Sequence, residues 1–155
     1  MTTEDVAFVP ADFDPPARLT AGEFRLEPLG PEHNERDYAA WTSSMDHIRR
    51  SPGFGEERRW PREMTLEENR GDLDRHAEDF RKKTGFTYTV LDRSDDVVGC
   101  VYVYPAGDGV HDAGIRSWVR ESEAEHDEAL RRAVADWITS DVWPFRRPLY
   151  EPLLS

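Results

Sequence analysis

Val97-Val98-Gly99-Cys100-Val101-Tyr102-Val103-Tyr104 carries apolar side chains at both odd and even positions. Successive side chains of a β-strand point to opposite faces, so this segment has to be covered on both sides, as in a sheet sandwiched between helices. Pro105 ends it. Upstream, Phe86 to Leu91 is rich in β-branched and aromatic residues and Arg93-Ser94-Asp95-Asp96 supplies a polar turn, which together predict a central hairpin. Downstream, the glycine- and aspartate-rich loop Ala106 to Asp112 leads into Ala113-Gly114-Ile115-Arg116-Ser117-Trp118-Val119, a further strand.

Towards the N-terminus, Phe24-Arg25-Leu26-Glu27-Pro28-Leu29 alternates apolar and charged residues at period two, the pattern of a half-buried strand stopped by Gly30-Pro31. Residues 1–22 hold prolines and acids that prevent a regular helix. Val6, Phe8, Val9 and Phe13 are too apolar for a solvated tail, so an extended arm lying on one domain of residues 23–155 is expected. Pro31 and Asn34 suit a helix entry, and Tyr38, Trp41, Met45 and Ile48 then share one helical face. Ser51-Pro52-Gly53-Phe54-Gly55 breaks that helix, and Glu56 to Met64 reads as a loop anchored by Trp60. Thr65 and Glu68 form a capping-box pattern opening a second helix, whose apolar side is Leu66, Leu73, Ala77 and Phe80 and whose exit is Gly85. Ala129, Leu130, Ala133, Val134, Trp137 and Ile138 mark a last helix over about Ala124 to Ser140. Arg147 to Leu154 leaves room for one short strand.

A chain of 155 residues fits one domain and one core. Its single cysteine, Cys100, excludes a disulfide framework and favours a reducing, cytoplasmic setting. The start lacks a basic leader and a long apolar run, and no stretch approaches the roughly 20 apolar residues of a membrane span. A net charge of −12 repels phosphate backbones and anionic lipid, which argues against nucleic-acid and membrane partners. His33, His47, His76, His111 and His126 show no close pairing of the kind that binds metal, so none is expected. Cys100, inside an apolar strand, reads as inert packing.

The order strand, helix, helix, three strands, helix, short strand resembles the GNAT N-acetyltransferases, chiefly bacterial small-molecule and amino-terminal acetylators. The resemblance covers about Phe24 to Phe145. It is carried by Phe24-Arg25-Leu26-Glu27-Pro28-Leu29, Val97 to Val103 and Ile115-Arg116-Ser117-Trp118-Val119-Arg120. It implies an α/β (α+β) fold, a mixed central sheet flanked by helices with a shortened C-terminal end, and an acidic, acetyl-CoA-dependent N-acyltransferase without metal. In that family two strands, fourth and fifth, splay and the cofactor's pantetheine arm lies between them. Here they would be Val97–Tyr104 and Ala113–Val119, placing backbone of Val101, Tyr102, Trp118 and Val119 beside the cofactor.

The chain departs from the family where a glycine-rich segment normally wraps the pyrophosphate at a helix N-terminus. It has Arg120-Glu121-Ser122-Glu123-Ala124-Glu125-His126-Asp127-Glu128 there, without glycine and with five carboxylates in the last eight residues. Those acids complement a helix dipole and oppose a diphosphate. His126 is the one candidate cofactor donor among them.

Acyl transfer to an amine needs a base and an acid for the departing thiolate. Tyr150, after the last helix, is the candidate acid; Glu27 and His111, the latter beside Asp112, are candidate bases. Phe54, Trp60 and Tyr104 are candidate walls for an acceptor, either a small-molecule amine or a peptide amino terminus. A monomer or homodimer fits equally. Two functions follow: an N-acyltransferase, or a non-catalytic GNAT-like module binding a ligand or a protein edge after losing the phosphate loop. A splayed strand pair and inward-pointing N–H groups near Ala124–Asp127 belong to the first alone.

Overall fold

The computed structural model describes residues 7–55 and 58–155; Val6, Glu56 and Glu57 lie outside the described residues. Six strands form one mixed sheet in sequence order: β1 Leu19–Ala21, β2 Phe24–Pro28, β3 Phe86–Leu91, β4 Val97–Tyr104, β5 Ala113–Val119 and β6 Pro148–Leu149. All neighbours are antiparallel except β5 and β6, which run parallel after a helical crossover. Helices α1 Asn34–Thr42, α2 Met45–Arg49 and α3 Leu66–Lys82 cover one face, and α4 Asp127–Ile138 covers the other.

The sandwich follows from the apolar pattern of β4. Cys100 and Tyr102 pack with Trp41, Ile48 and Leu73 under α1 to α3, while Val101 and Val103 pack with Leu130, Val134 and Ile138 under α4. Val97 and Val98 break the alternation because the register slips there: Leu91 pairs Val97 and Val90 pairs Gly99, leaving Val98 as the extra residue of a bulge.

Three features differ from expectation. The N-terminal arm supplies a strand, β1, which pairs Leu19 with Leu26, and it lays Phe8, Val9 and Phe13 on the α4-side core. The predicted first helix is two. Ser43 and Ser44 interrupt it: the Ser43 hydroxyl donates to the Ala40 carbonyl, and Ser44 leaves helical geometry at φ −135°, ψ 23°. The last helix is preceded by a 3-10 stretch, Glu121–His126, with a kink at Glu123. The capping box of α3 forms as the sequence requires, Thr65 Oγ1 accepting from Glu68 N and Glu68 Oε1 accepting from Thr65 N at 3.0 and 2.9 Å.

Candidate functional site

Asp72, His76 and Asp79 recur along α3 at spacings of four and three and so share a face. That face lines a pocket of about 340 Å³, the lower end of the range for small-molecule sites. Asp37 reaches it from α1, Tyr102 and Tyr104 from β4, and Arg116 from β5. Phe54 and Trp60, from the loop after α2, supply apolar wall.

A hydrogen-bonded relay fixes the polar side. Tyr104 Oη donates to Asp79 Oδ2 at 2.8 Å, and His76 Nδ1 lies 3.0 Å from both Tyr104 Oη and Thr87 Oγ1. The tyrosine has one hydrogen, directed at Asp79, so its oxygen accepts from the imidazole. This assigns the ring hydrogen to Nδ1 and leaves Nε2 as an acceptor, without a partner among the described residues. Burial, with Arg75 nearby, pushes His76 below the ordinary imidazole range, and burial raises the Tyr104 hydroxyl. At neutral pH the relay therefore holds a neutral imidazole and an un-ionised phenol.

Asp37 is a buried carboxyl beneath the pocket. Asn69 Nδ2 donates to its Oδ2 at 3.1 Å and to Asn34 Oδ1 at 2.9 Å, while the Trp41 indole donates to Asn69 Oδ1 at 3.1 Å. Burial outweighs those bonds and pushes Asp37 up from 3.8 to about 6. A carboxyl that binds its proton more tightly folded than unfolded favours folding fully below about pH 4, and that contribution is lost as pH rises through about 6. Asp37→Asn, which keeps an acceptor for Asn69, is expected to be about 1–3 kcal/mol more stable than the parent at pH 8 and no more stable at pH 4. Paired urea melts across that range measure it; equal gains at both pH values would count against a buried charge.

The expected splaying of β4 from β5 is not found. These strands pair from Gly99↔Val119 to Tyr104↔Gly114, since antiparallel strands joined by a short loop zip along their common length. Val101, Tyr102 and Trp118 thus have sheet neighbours on the seam proposed for the cofactor. The sheet opens instead at the next seam: β6 pairs β5 only at Ala113↔Pro148 and Gly114↔Leu149, leaving the outer edge of β5 from Ile115 to Val119 without a strand.

That outer edge is occupied by the protein itself. Tyr150, 1% exposed, places its hydroxyl 2.6 Å from Ser117 Oγ, and burial pushes it up to about 12. Arg131 from α4 donates to the Ser117 carbonyl at 3.1 Å, pairs with Asp127 at 3.0 Å and lies over the Tyr150 ring. Main-chain bonds between Tyr150 and Leu154, each 2.7 Å, fold the following segment back on itself.

Three N–H groups of the turn after β5 are engaged as well. Glu121 N donates to Ser44 Oγ at 2.8 Å, Glu123 N to the Arg120 carbonyl at 2.9 Å, and Asp127 N to the Ala124 carbonyl. Five carboxylates accompany them in the same stretch of chain. Coenzyme A, which the resemblance implies, therefore does not fit along β5: its amide groups would meet Arg131 and Tyr150, and its diphosphate would meet five carboxylates beside the bonded N–H groups of Glu121, Glu123 and Asp127.

The sequence candidates fall in separate places. Phe54, Trp60 and Tyr104 line the pocket together. Glu27 accepts from His33 Nε2 at 3.0 Å, because Nδ1 of that ring already accepts from Gly30 N at 3.1 Å. His111 pairs with Asp108 at 2.6 Å and closes the loop after β4, while Asp112 accepts from Arg146 N and Arg147 N and ties that loop to the segment before β6. His126 packs edge-on against Phe24, with Glu123 and Glu125 beside it. Val119 ends β5, and Cys100 is fully buried with its thiol pushed well up. Among the described residues no cluster of three or more His, Cys, Asp or Glu side chains could hold a metal ion, and no helix is long and apolar enough to cross a membrane.

No protein-family model and no curated protein matches the chain. Solved structures do. The ribosomal-protein-S5-alanine acetyltransferase of Vibrio fischeri superposes with TM-score 0.61 at 15% identity, over 79% of this chain and 67% of that one. The microcin C7 self-immunity acetyltransferase MccE, solved with acetyl-CoA and AMP, gives 0.62 at 13%, over 83% and 70%. A Bordetella pertussis protein assigned to the GNAT family of acetyltransferases gives 0.54 at 17%, over 79% and 73%. At such identities the likeness is one of architecture, and it is specific: this chain has the fold of the GNAT acetyltransferases.

Proposed function

We propose that the chain is a small-ligand-binding protein built on the GNAT fold. It takes an amine in the pocket between α3, β4 and β5, and it does not hold acyl-CoA along β5. The observation that carries this reading is a contrast. The pocket keeps polar groups available to a ligand, His76 Nε2 foremost, whereas the edge of β5 is covered by Arg131 and Tyr150 and the turn after it holds five carboxylates, with the N–H groups of Glu121, Glu123 and Asp127 bonded internally. Asp37, Asp72 and Asp79 give the pocket an excess of acids over Arg75 and Arg116, which suits a cationic amine.

Titration of the whole protein with acetyl-CoA, by calorimetry at low and moderate salt and by thermal unfolding, tests this directly. The expected result is no heat at millimolar ligand and no change in melting temperature. Binding at micromolar strength would overturn it. Ligand at 100 times its Kd adds about 2.7 kcal/mol of stability, a rise of roughly 5–10 °C for a chain of this size.

An N-acyltransferase is the second reading, and His76 is the observation that favours it. Acyl transfer needs a base for the acceptor amine, and a half-buried neutral imidazole whose second nitrogen has no partner among the described residues is suited to that task. A micromolar acetyl-CoA site would make this reading the first.

A further inference from the structure

Arg116 stands out among the charged groups of the pocket. Arg75 is paired with Asp72 at 2.8 Å, Asp79 accepts from Tyr104, and Asp37 accepts from Asn69. Arg116 has no carboxylate or carbonyl partner among the described residues. Its guanidinium lies over two aromatic faces instead, 5.0 Å from the Phe54 centroid and 5.2 Å from that of Tyr102. Gly53 leaves room for its stem, since a Cβ there would come within 2.9 Å of Arg116 Cγ and Cδ.

A guanidinium does not shed its proton in a protein and carries five N–H donors in a rigid fork. Half-buried, stacked and unpaired, it presents that fork to whatever enters. The matching acceptors are carboxylate and phosphate. The pocket separates the two: a phosphate dianion would face Asp37, Asp72 and Asp79 at close quarters, whereas a single carboxylate on a molecule that also carries an ammonium group meets opposite charge at both ends. The acidic relay lies on α3 and the cation on β5, so the two ends of such a ligand have separate walls.

We propose that the ligand of this pocket is a zwitterion, a free amino acid or a closely related amino carboxylate. Its carboxylate is held by Arg116 and its amine lies on the side of Asp79 and His76. This rests on the reading that the pocket takes an amine, and it adds a second, anionic recognition point. It also excludes a peptide amino terminus, in which the carboxylate is replaced by an amide.

The test is calorimetric titration of the whole protein, without acyl donor, with the twenty free amino acids, then with the carboxamide and the decarboxylated amine of the tightest binder. Loss of a charge-assisted contact is expected to weaken the last two by about 10- to 100-fold. In Arg116→Gln the amino acid and its carboxamide are expected to bind alike, at the weak level, while circular dichroism and melting confirm that the variant folds. Arg116→Lys keeps the charge without the fork and is expected to fall between. Equal affinity of the parent protein for amino acid and carboxamide would overturn the proposal, as would no binding of any amino acid at millimolar concentration. Should a variant fail to fold, the ligand pair on the parent protein decides alone. Amino-acid binding together with acetyl-CoA binding would sink the non-acylating function and leave this inference standing; amine binding indifferent to the carboxylate would do the reverse.

Discussion

Gly99→Val is expected to destabilise the protein by about 3–5 kcal/mol, read as a fall of roughly 6–20 °C in melting temperature or as failure to fold. A Cβ at Gly99 would stand 2.3 Å from the Trp118 carbonyl oxygen and 3.3 Å from Val119 Cα. Both atoms are main chain of the paired strand β5, so neither can rotate aside as a side chain would; β4 and β5 would have to separate. The absence of a Cβ there is what lets the end of the β4–β5 seam close. Urea melts of the parent and the variant measure the effect, and a loss under about 1 kcal/mol would show that the strands separate easily. In that event the closed seam would no longer argue against a ligand between them.

The layers of the fold were legible because they depend on local pattern. An apolar run at both parities in Val97 to Tyr104 requires cover on two faces, and α3 and α4 carry the amphipathic faces that provide it. The capping box at Thr65 and Glu68 and the polar turn before Val97 are likewise short-range chemistry. What stayed hidden depends on pairing at long range. Leu19 to Ala21 becomes a strand only because β2 offers an edge, and the place where neighbouring strands diverge is set by their direction, which a list of strands does not contain.

The site shows the same division. Phe54, Trp60 and Tyr104 were readable as aromatic wall because bulky side chains beside chain breaks often flank pockets. His76 has no metal-like partner close in sequence, so nothing in that respect distinguishes it from the other histidines. Its signal is helical spacing: Asp72, His76 and Asp79 at intervals of four and three, next to the apolar stripe of Leu73, Ala77 and Phe80. Its partners Thr87 and Tyr104, 11 and 28 residues away, had no such signal. Arg116 and Asp37 read as ordinary polar positions on a strand and a helix until folding set one against two aromatic rings and buried the other.

Tyr150→Ala is expected to cost about 3–5 kcal/mol, against about 1 kcal/mol for Tyr150→Phe. The alanine variant removes a fully buried ring from the core shared with α4 and leaves Arg131 without the face it lies over. The phenylalanine variant removes only the hydroxyl contact with Ser117. Both variants, titrated with acetyl-CoA, separate two obstacles at the edge of β5. If the filled edge alone kept the cofactor out, Tyr150→Ala would gain affinity. The expected result is that it gains none, because Glu121, Glu123 and Asp127 still have their N–H groups bonded internally and five carboxylates still oppose a diphosphate. Acquired micromolar binding by Tyr150→Ala would instead mean that the turn tolerates the phosphates and that the chain following β6 is what bars the edge. The ligand-binding reading would then hold only for the closed form of that segment, and acyl transfer would follow from its displacement.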